Sequence, residues 1–305
     1  MPKYYVGDFI RETRERRGYT QEELCYGICS VPSLSRIENG VQVPGSRRLD
    51  ALLQRLGCGD QVFNELVSKE ETKIYECIIK IRQDLVERNY EELEVIIKQL
   101  EPMIKDRSEF DIQYFYFAQS RLMKYKGADL QEIMERYMKA IHITLPEFDG
   151  KKPLKNKLLT FDEITIINSI ASLQAERGKY KEAIGLGYWL KEYVEEKVFD
   201  NNERKKKYPL LVYNLSNWLG LKRRYEEAYE VSQNGIDFCI KNGALYYFPY
   251  LLFNKACGLA EMGRIMESKK YFNQAAVLFE SVGNEEKSNK TATWCKEKYD
   301  IEITS

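Results

Sequence analysis

The sequence predicts an all-α protein, a small N-terminal helix-turn-helix unit followed by a right-handed α-solenoid of helical hairpins. Three observations carry this prediction. From Val62 onward, apolar residues recur at spacings of three and four, and no stretch shows the alternation that a half-buried strand requires. Proline is scarce, 8 in 305 residues, and Pro102, Pro146, Pro153, Pro209 and Pro249 are expected between elements. One small–large–small pattern then recurs three times in the C-terminal half.

In chain order, residues Tyr4 to Arg17 read as a first helix, with Val6, Phe9 and Ile10 inward and Arg11, Arg14, Arg16 and Arg17 outward. Gly18-Tyr19 turns into a second helix. Thr20 caps it, Glu23 completes a capping box, and Leu24 and Ile28 supply the apolar stripe. That helix is expected to stop near Gly27–Cys29. Ser30 begins the next, with Pro32 in its first turn, where a missing N–H is harmless. Leu34 and Ile37 face inward, Ser33 and Arg36 outward, and Asn39-Gly40 ends the helix. After a loop from Val41 to Gly45, Ser46 is expected to cap a fourth helix carrying Leu49, Leu52, Leu53 and Leu56, closed by Gly57-x-Gly59.

Two short helices joined this way can present the second to a DNA major groove, although the caps alone also suit an ordinary αα-hairpin. The residues say more. Arg11-x-x-Arg14…Gly18-x-Thr20-Gln21-Glu22-Glu23-Leu24, followed by Leu34-Ser35-Arg36-Ile37-Glu38-Asn39-Gly40, resembles the repressor-type (XRE/Cro, lambda-repressor-like) DNA-binding domain over residues 4–57. The turn Gly27-Ile28-Cys29-Ser30 is one residue shorter than usual for that domain. With the LSRIENG segment behind it, it resembles the Rgg/PlcR-like (RRNPP) group of peptide-pheromone-responsive transcriptional regulators. Thr13 departs from the pattern, standing where the family keeps an aliphatic core residue.

The repeated pattern is Ala171–Tyr180–Ala183, Ser216–Tyr225–Ala228 and Ala256–Ile265–Ser268, with Gly178 and Gly263 two residues before the large side chain. It resembles the tetratricopeptide repeat, in which small residues let two helices approach and the large residue after the turn fills the groove between them. The periods of 45 and 40 exceed the usual length of about 34. Asn89-Tyr90 and Gly127–Leu130 read as two earlier hairpin turns, and the segment Pro146–Pro153 absorbs the extra residues before the third. About five hairpins are therefore expected, with Ser288–Tyr299, including Trp294 and Tyr299, as a C-terminal capping helix. The domain expectation is 1–61 for the helix-turn-helix, 62–72 for a linker helix region and 73–305 for the repeats.

Composition narrows the function. The 47 basic and 47 acidic residues cancel, and residues 1–60 hold nine of the first against eight of the second, a balance of +1. Phosphate neutralisation dominates affinity for DNA, so a single head is expected to bind weakly and a homodimer on two half-sites is the expected remedy. Seven cysteines without a C-x-x-C pair fit buried thiols in a reducing cytoplasm. Cys25 and Cys29 at i, i+4 lack a His or further Cys nearby, and no metal or other cofactor is expected. No signal peptide and no bilayer-length apolar run is evident, which places the expectation in the cytoplasm, without a membrane partner. Enzymatic motifs are missing: the sole histidine, His142, sits among apolar neighbours, and no glycine-rich phosphate loop occurs.

Candidate site residues follow from position. Val31, Pro32 and Ser33 at the start of the recognition helix are placed for base edges, and Arg36 can fork onto guanine or a phosphate, its alternative being a salt bridge to a neighbouring acid. The resemblance implies phosphate contacts for Gln21 and Asn39, and Arg47 and Arg48 are further phosphate candidates. An extended peptide's backbone needs groups that donate and accept together, which asparagine amides do. Asn168, Asn214, Asn217 and Asn254 fall on one helical arc, with Tyr213, Tyr250 and Phe253 nearby for apolar pockets. The alternative is that these asparagines cap or bridge helices. Arg204–Lys207 reads as a basic run in an inter-helix loop. The expected function is a cytoplasmic regulator that binds operator DNA and senses a short signalling peptide. The alternative is a repeat adaptor controlled by a protein partner.

Overall fold

The computed structural model describes residues 6–58, 69–104 and 108–303, and every regular element among them is helical. Most of the expected linker helix region lies outside the described residues, as do Tyr4 and Gly59. Two compact units emerge, Met1–Leu173 with Val198–Asp200, and Gln174–Lys197 with Asn201–Ser305. Their division falls inside a helix of the repeats, so the helix-turn-helix shares its unit with the first hairpins. No described helix is long and apolar enough to cross a membrane.

The first unit starts with α1 (Val6–Arg16), α2 (Gln21–Cys25), α3 (Val31–Glu38) and α4 (Ser46–Arg55). Thr20 caps α2 in a full capping box with Glu23, and Ser30 caps α3, its hydroxyl accepting from Ser33 N–H with Pro32 in the first turn. Ile10, Leu24, Ile28, Leu34, Ile37, Leu49, Leu52 and Leu56 close one core beneath them. Two expectations change. Gly45 rather than Ser46 stands at the N-cap of α4, without a side-chain cap. Arg14, expected outside, is buried, because it supplies the partner that the buried carboxylate of Glu38 requires. Thr13, the departure from the resembled pattern, is buried.

The unit continues with hairpins α5 (Lys69–Glu87) with α6 (Tyr90–Leu100) and α7 (Glu109–Tyr125) with α8 (Leu130–His142), then α9 (Phe161–Glu176), whose last residues belong to the second unit. The second unit holds α10 (Tyr180–Glu196), α11 (Asn201–Leu221), α12 (Tyr225–Asn242), α13 (Phe248–Glu261), α14 (Ile265–Ser281) and α15 (Glu285–Tyr299). The small residues of the repeat pattern, Ala171, Ala183, Ser216, Ala228, Ala256 and Ser268, are all buried.

One turn recurs along the repeats. Arg88, Gly127, Gly178, Arg223, Gly263 and Gly283 each take a left-handed conformation, with φ between 59° and 78°. The next residue's N–H reaches back to the carbonyl five before it, as in Lys179 to Gln174 and Arg264 to Leu259. This is the Schellman closure of a helix C-terminus. Glycine adopts it freely. Arg88 and Arg223 do so against a steric cost of about 1–2 kcal/mol.

Two further expectations are corrected. Ile265 does not fill a groove but is 40% exposed. The basic run Arg204–Lys207 and Pro209 lie inside α11, not in a loop. Buried Tyr208, Leu211, Val212 and Leu215 hold that helix continuous, and Glu203 pairs with Lys206 and Lys207. At the C-terminal end, Phe272, Cys295 and Ile301 belong to one core cluster with Trp294 and Tyr299 packed on it.

Candidate functional site

The α3 surface is built from below. Buried Glu38 accepts from Arg14 Nε at 2.6 Å, from Arg14 Nη2 at 3.0 Å and from Gln21 Nε2 at 2.7 Å, tying α1, α2 and α3 together. Charge-assisted bonds of this kind are about twice as strong as neutral ones. They fix the opposite face of α3, where Val31, Pro32 and Arg36 stand exposed and Ser33 is half-buried, its hydroxyl donating to Gln42 at 3.3 Å. The Arg36 side chain makes no hydrogen bond or ion pair among the described residues. Asn39 is exposed as well. Its amide donates to the Ser35 carbonyl at 2.8 Å and its oxygen accepts from Arg11 at 3.3 Å, so it closes α3 while facing solvent. Gln21 has one amide N–H committed to Glu38.

The α4 side of the head is used differently. Arg47, expected at a phosphate, lies with Nε 2.7 Å from Asp111 on α7, so its charge is already neutralised within the protein. Arg55 is sealed completely. It donates to the carbonyls of Leu24 and Tyr26, and its Nη2 lies 3.1 Å from Glu163 Oε1, both side chains at 0% exposure. Glu163 also accepts from Thr160 N–H at 2.6 Å as the third residue of α9, in a second capping box. The Gln54 side chain accepts from Phe161 N–H at 2.9 Å.

The extra segment between α8 and α9 completes this fastening. Tyr26 donates to Glu147, and Lys157 Nζ lies 3.1 Å from the Tyr26 ring centroid. Burial would raise the Glu147 carboxyl, but hydrogen bonds from Tyr26, its own backbone and Lys157 hold it below the ordinary value. Gly27, at φ 65°, comes so close to the Thr144 carbonyl that a Cβ there would sit 2.0 Å from its oxygen. The shortened turn noted in the sequence is thus also a contact surface, which sequence reasoning missed. Its signal was a glycine in a turn beside an overlong loop.

The expected peptide residues divide between the units. Asn168 is buried in the first unit. In the second, Asn254 is 8% exposed and bridges helices, its amide donating to the Tyr213 carbonyl at 3.1 Å and Ser216 Oγ at 2.8 Å. That is the bridging alternative left open above. Phe253 packs on Phe272 and Trp294, at centroid distances of 5.5 and 5.1 Å, in the cap core rather than beside an open groove. Asn214 is half-buried and Asn217 exposed on α11, and Tyr213 meets Tyr247 and Tyr250 at 5.7 and 5.4 Å.

Residues 6–66 match the family described as a helix-turn-helix domain. PlcR of Bacillus thuringiensis, solved with the peptide PapR7 and DNA, superposes with a TM-score of 0.58 at 20% identity, covering 94% of this chain and 98% of that one. The chain shares the PlcR fold. The competence regulator ComR of Streptococcus vestibularis, in its apo form, gives 0.54 at 14% identity over 98% of both chains. A single-residue variant of the SHP pheromone receptor Rgg2 of Streptococcus dysgalactiae gives 0.50 at 14% identity over 97% of this chain and 100% of that one. No curated protein matches the chain by sequence. The first unit therefore opens with a helix-turn-helix domain, and the helices that follow it share the fold of the PlcR structure.

Proposed function

We propose that the chain is a sequence-specific transcriptional regulator that reads operator DNA with α3 and is controlled by a short peptide held on its repeats. The observation that carries the reading is the α3 surface, with Val31, Pro32 and Ser33 at its N-terminal end and an uncommitted Arg36 one turn on. Side chains so placed meet base edges first, an apolar one on a thymine methyl and an arginine on guanine O6/N7. Gln21 and Asn39 remain the phosphate candidates, with Arg48. Arg47 leaves that set because Asp111 holds it. Three of the head's arginines, Arg14, Arg47 and Arg55, are internally paired, which weakens its field and favours a homodimer that engages two half-sites together.

For the peptide, Asn214 and Asn217 with the ring group Tyr213, Tyr247 and Tyr250 offer backbone partners and apolar contact on the second unit. Supporting this, PlcR of the same fold was solved with a peptide and DNA. A peptide that prefers one arrangement of the dimer shifts its population toward that arrangement. Selection of operator sequences by the purified protein, followed by gel shift of Arg36→Ala, tests the DNA reading. Undiminished base preference in the variant would remove α3 from the assignment. Native mass spectrometry of protein from its own host tests the peptide: a co-purifying short peptide supports it. A partner protein in its place would favour the adaptor reading.

A further inference from the structure

The second unit holds another site, built unlike the asparagine and tyrosine set and sharing no residue with it. Helices α12, α13 and α14 line a cavity of ≈ 660 Å³. Its apolar walls include Ile236, Leu252 and Leu278, and Ile240 and Val277 stand at its rim, 66% and 47% exposed. Among these sits Lys255, only 4% exposed. Its ammonium donates to Gln233 and lies 3.8 and 5.2 Å from the ring centroids of Tyr271 and Tyr229. It makes no ion pair among the described residues. Glu267, which senses its charge, is already bidentate to Arg264 at 2.7 and 2.8 Å.

A buried cation is ordinarily paired with a carboxylate, since desolvation costs several kcal/mol per ion. Two ring faces and one neutral amide orient Lys255 without cancelling its charge, and an ammonium has three donors of which one is used. A second observation concerns Asn273, which lines the same cavity: its Oδ1 is buried and has no hydrogen-bond partner among the described residues. Asp237 and Lys270 also line the cavity, Asp237 accepting from Gln233 Nε2 at 2.7 Å. The unpaired cation of Lys255, a free acceptor and the apolar residues together suit one kind of occupant. We infer that this groove binds a small amphipathic carboxylate. Its anionic head sits on Lys255, a neighbouring amide or hydroxyl donates to Asn273 Oδ1, and an apolar chain lies along Ile236, Ile240 and Val277. An N-acyl amino acid is the simplest molecule with that chemistry.

Calorimetry of the full chain with N-decanoylglycine below its micelle concentration provides the test, with decan-1-ol as the uncharged control. One molecule is expected to bind per chain, and decan-1-ol at least about tenfold more weakly. Lys255→Gln should lose at least about tenfold in affinity. Ile240→Asp, at the exposed rim where folding is not at stake, should weaken binding as well. Equal binding of decan-1-ol, or unchanged affinity in Ile240→Asp, overturns the site. So does the absence of saturable binding to the folded wild-type chain. Gel shift on the same preparations reads the DNA function separately, so either reading can fail alone.

Discussion

In α3, Arg36 stands exposed with no partner among the described residues, whereas in α4, Arg55 is sealed from water against Glu163 and two backbone carbonyls. The same side chain is used outward in one helix and inward in the next. An exposed guanidinium costs the fold little and remains available to a partner. A buried one is sustained by its carboxylate and carbonyl partners, and once paired it gives geometry. The head therefore has an outward face, on which Arg36 stands uncommitted, and a fastening face made of Arg47, Gln54, Arg55, Tyr26 and Gly27, all engaged by the helices and loop behind them. Within the first unit, the helix-turn-helix is thereby held to the helices that follow it.

The largest expected effect comes from breaking the inward arginine. Arg55→Ala strands a fully buried carboxylate and should cost about 3–5 kcal/mol in urea denaturation. The paired replacement Arg55→Met with Glu163→Leu should recover most of it, because removing both charges also removes their desolvation penalty. A loss below about 1 kcal/mol in the single variant would mean that the pair is not sealed as described.

Next comes the contact at the turn. Gly27→Ala must accept a left-handed φ and drive a Cβ into the Thr144 carbonyl. Gly40→Ala, at φ 70° with nothing within reach, meets only the first cost, about 1–2 kcal/mol. Thermal melts of the two should separate clearly, Gly27→Ala being the less stable. Equal melts would show that the loop does not rest on the turn.

The helix-turn-helix boundaries were legible in the sequence because their signals are local. Thr20 and Glu23, Ser30 and Pro32, and the Asn39-Gly40 stop lie within a turn or two of the groups they satisfy. The fastening face was not. Arg14 meets Glu38 across 24 residues and Arg55 meets Glu163 across 108, and nothing in either arginine's own neighbourhood tells which carboxylate will claim it. The same limit explains Asn254, whose periodic place matched a peptide ladder while its amide was needed between α11 and α13. Hairpin turns such as those at Gly127, Gly178 and Gly263 were readable from their glycines. Pro209 inside α11 was not, because a long buried stripe outweighed the local breaker.

For the outward arginine the expectation reverses between two measurements. Arg36→Ala should leave the melt nearly unchanged, since no intramolecular bond among the described residues is lost. It should reduce discrimination between matched and mismatched operators by about 1–3 kcal/mol. A destabilised fold with intact discrimination would place Arg36 on the fastening side.

The smallest effect sits between the two extremes, at the C-terminal cap. Glu261 accepts from Lys298 at 2.6 Å and from Tyr299 at 2.8 Å, near the surface. The Lys298 bond, opposed by desolvation and aided by Tyr299 and Tyr225, lowers its carboxyl from 4.5 to about 2. A carboxyl lowered on folding stabilises the protein above its unfolded value and loses that contribution as pH falls through the folded one. Wild type should exceed Glu261→Gln in stability at pH 7 by less than about 1 kcal/mol, since Lys298 is exposed to solvent screening. The difference should shrink between pH 4.5 and about 2. Urea titrations of both proteins across that window check the sign. A gap that widened on acidification would mean that Glu261 is held by burial rather than by Lys298, and would move it to the inward class with Glu163.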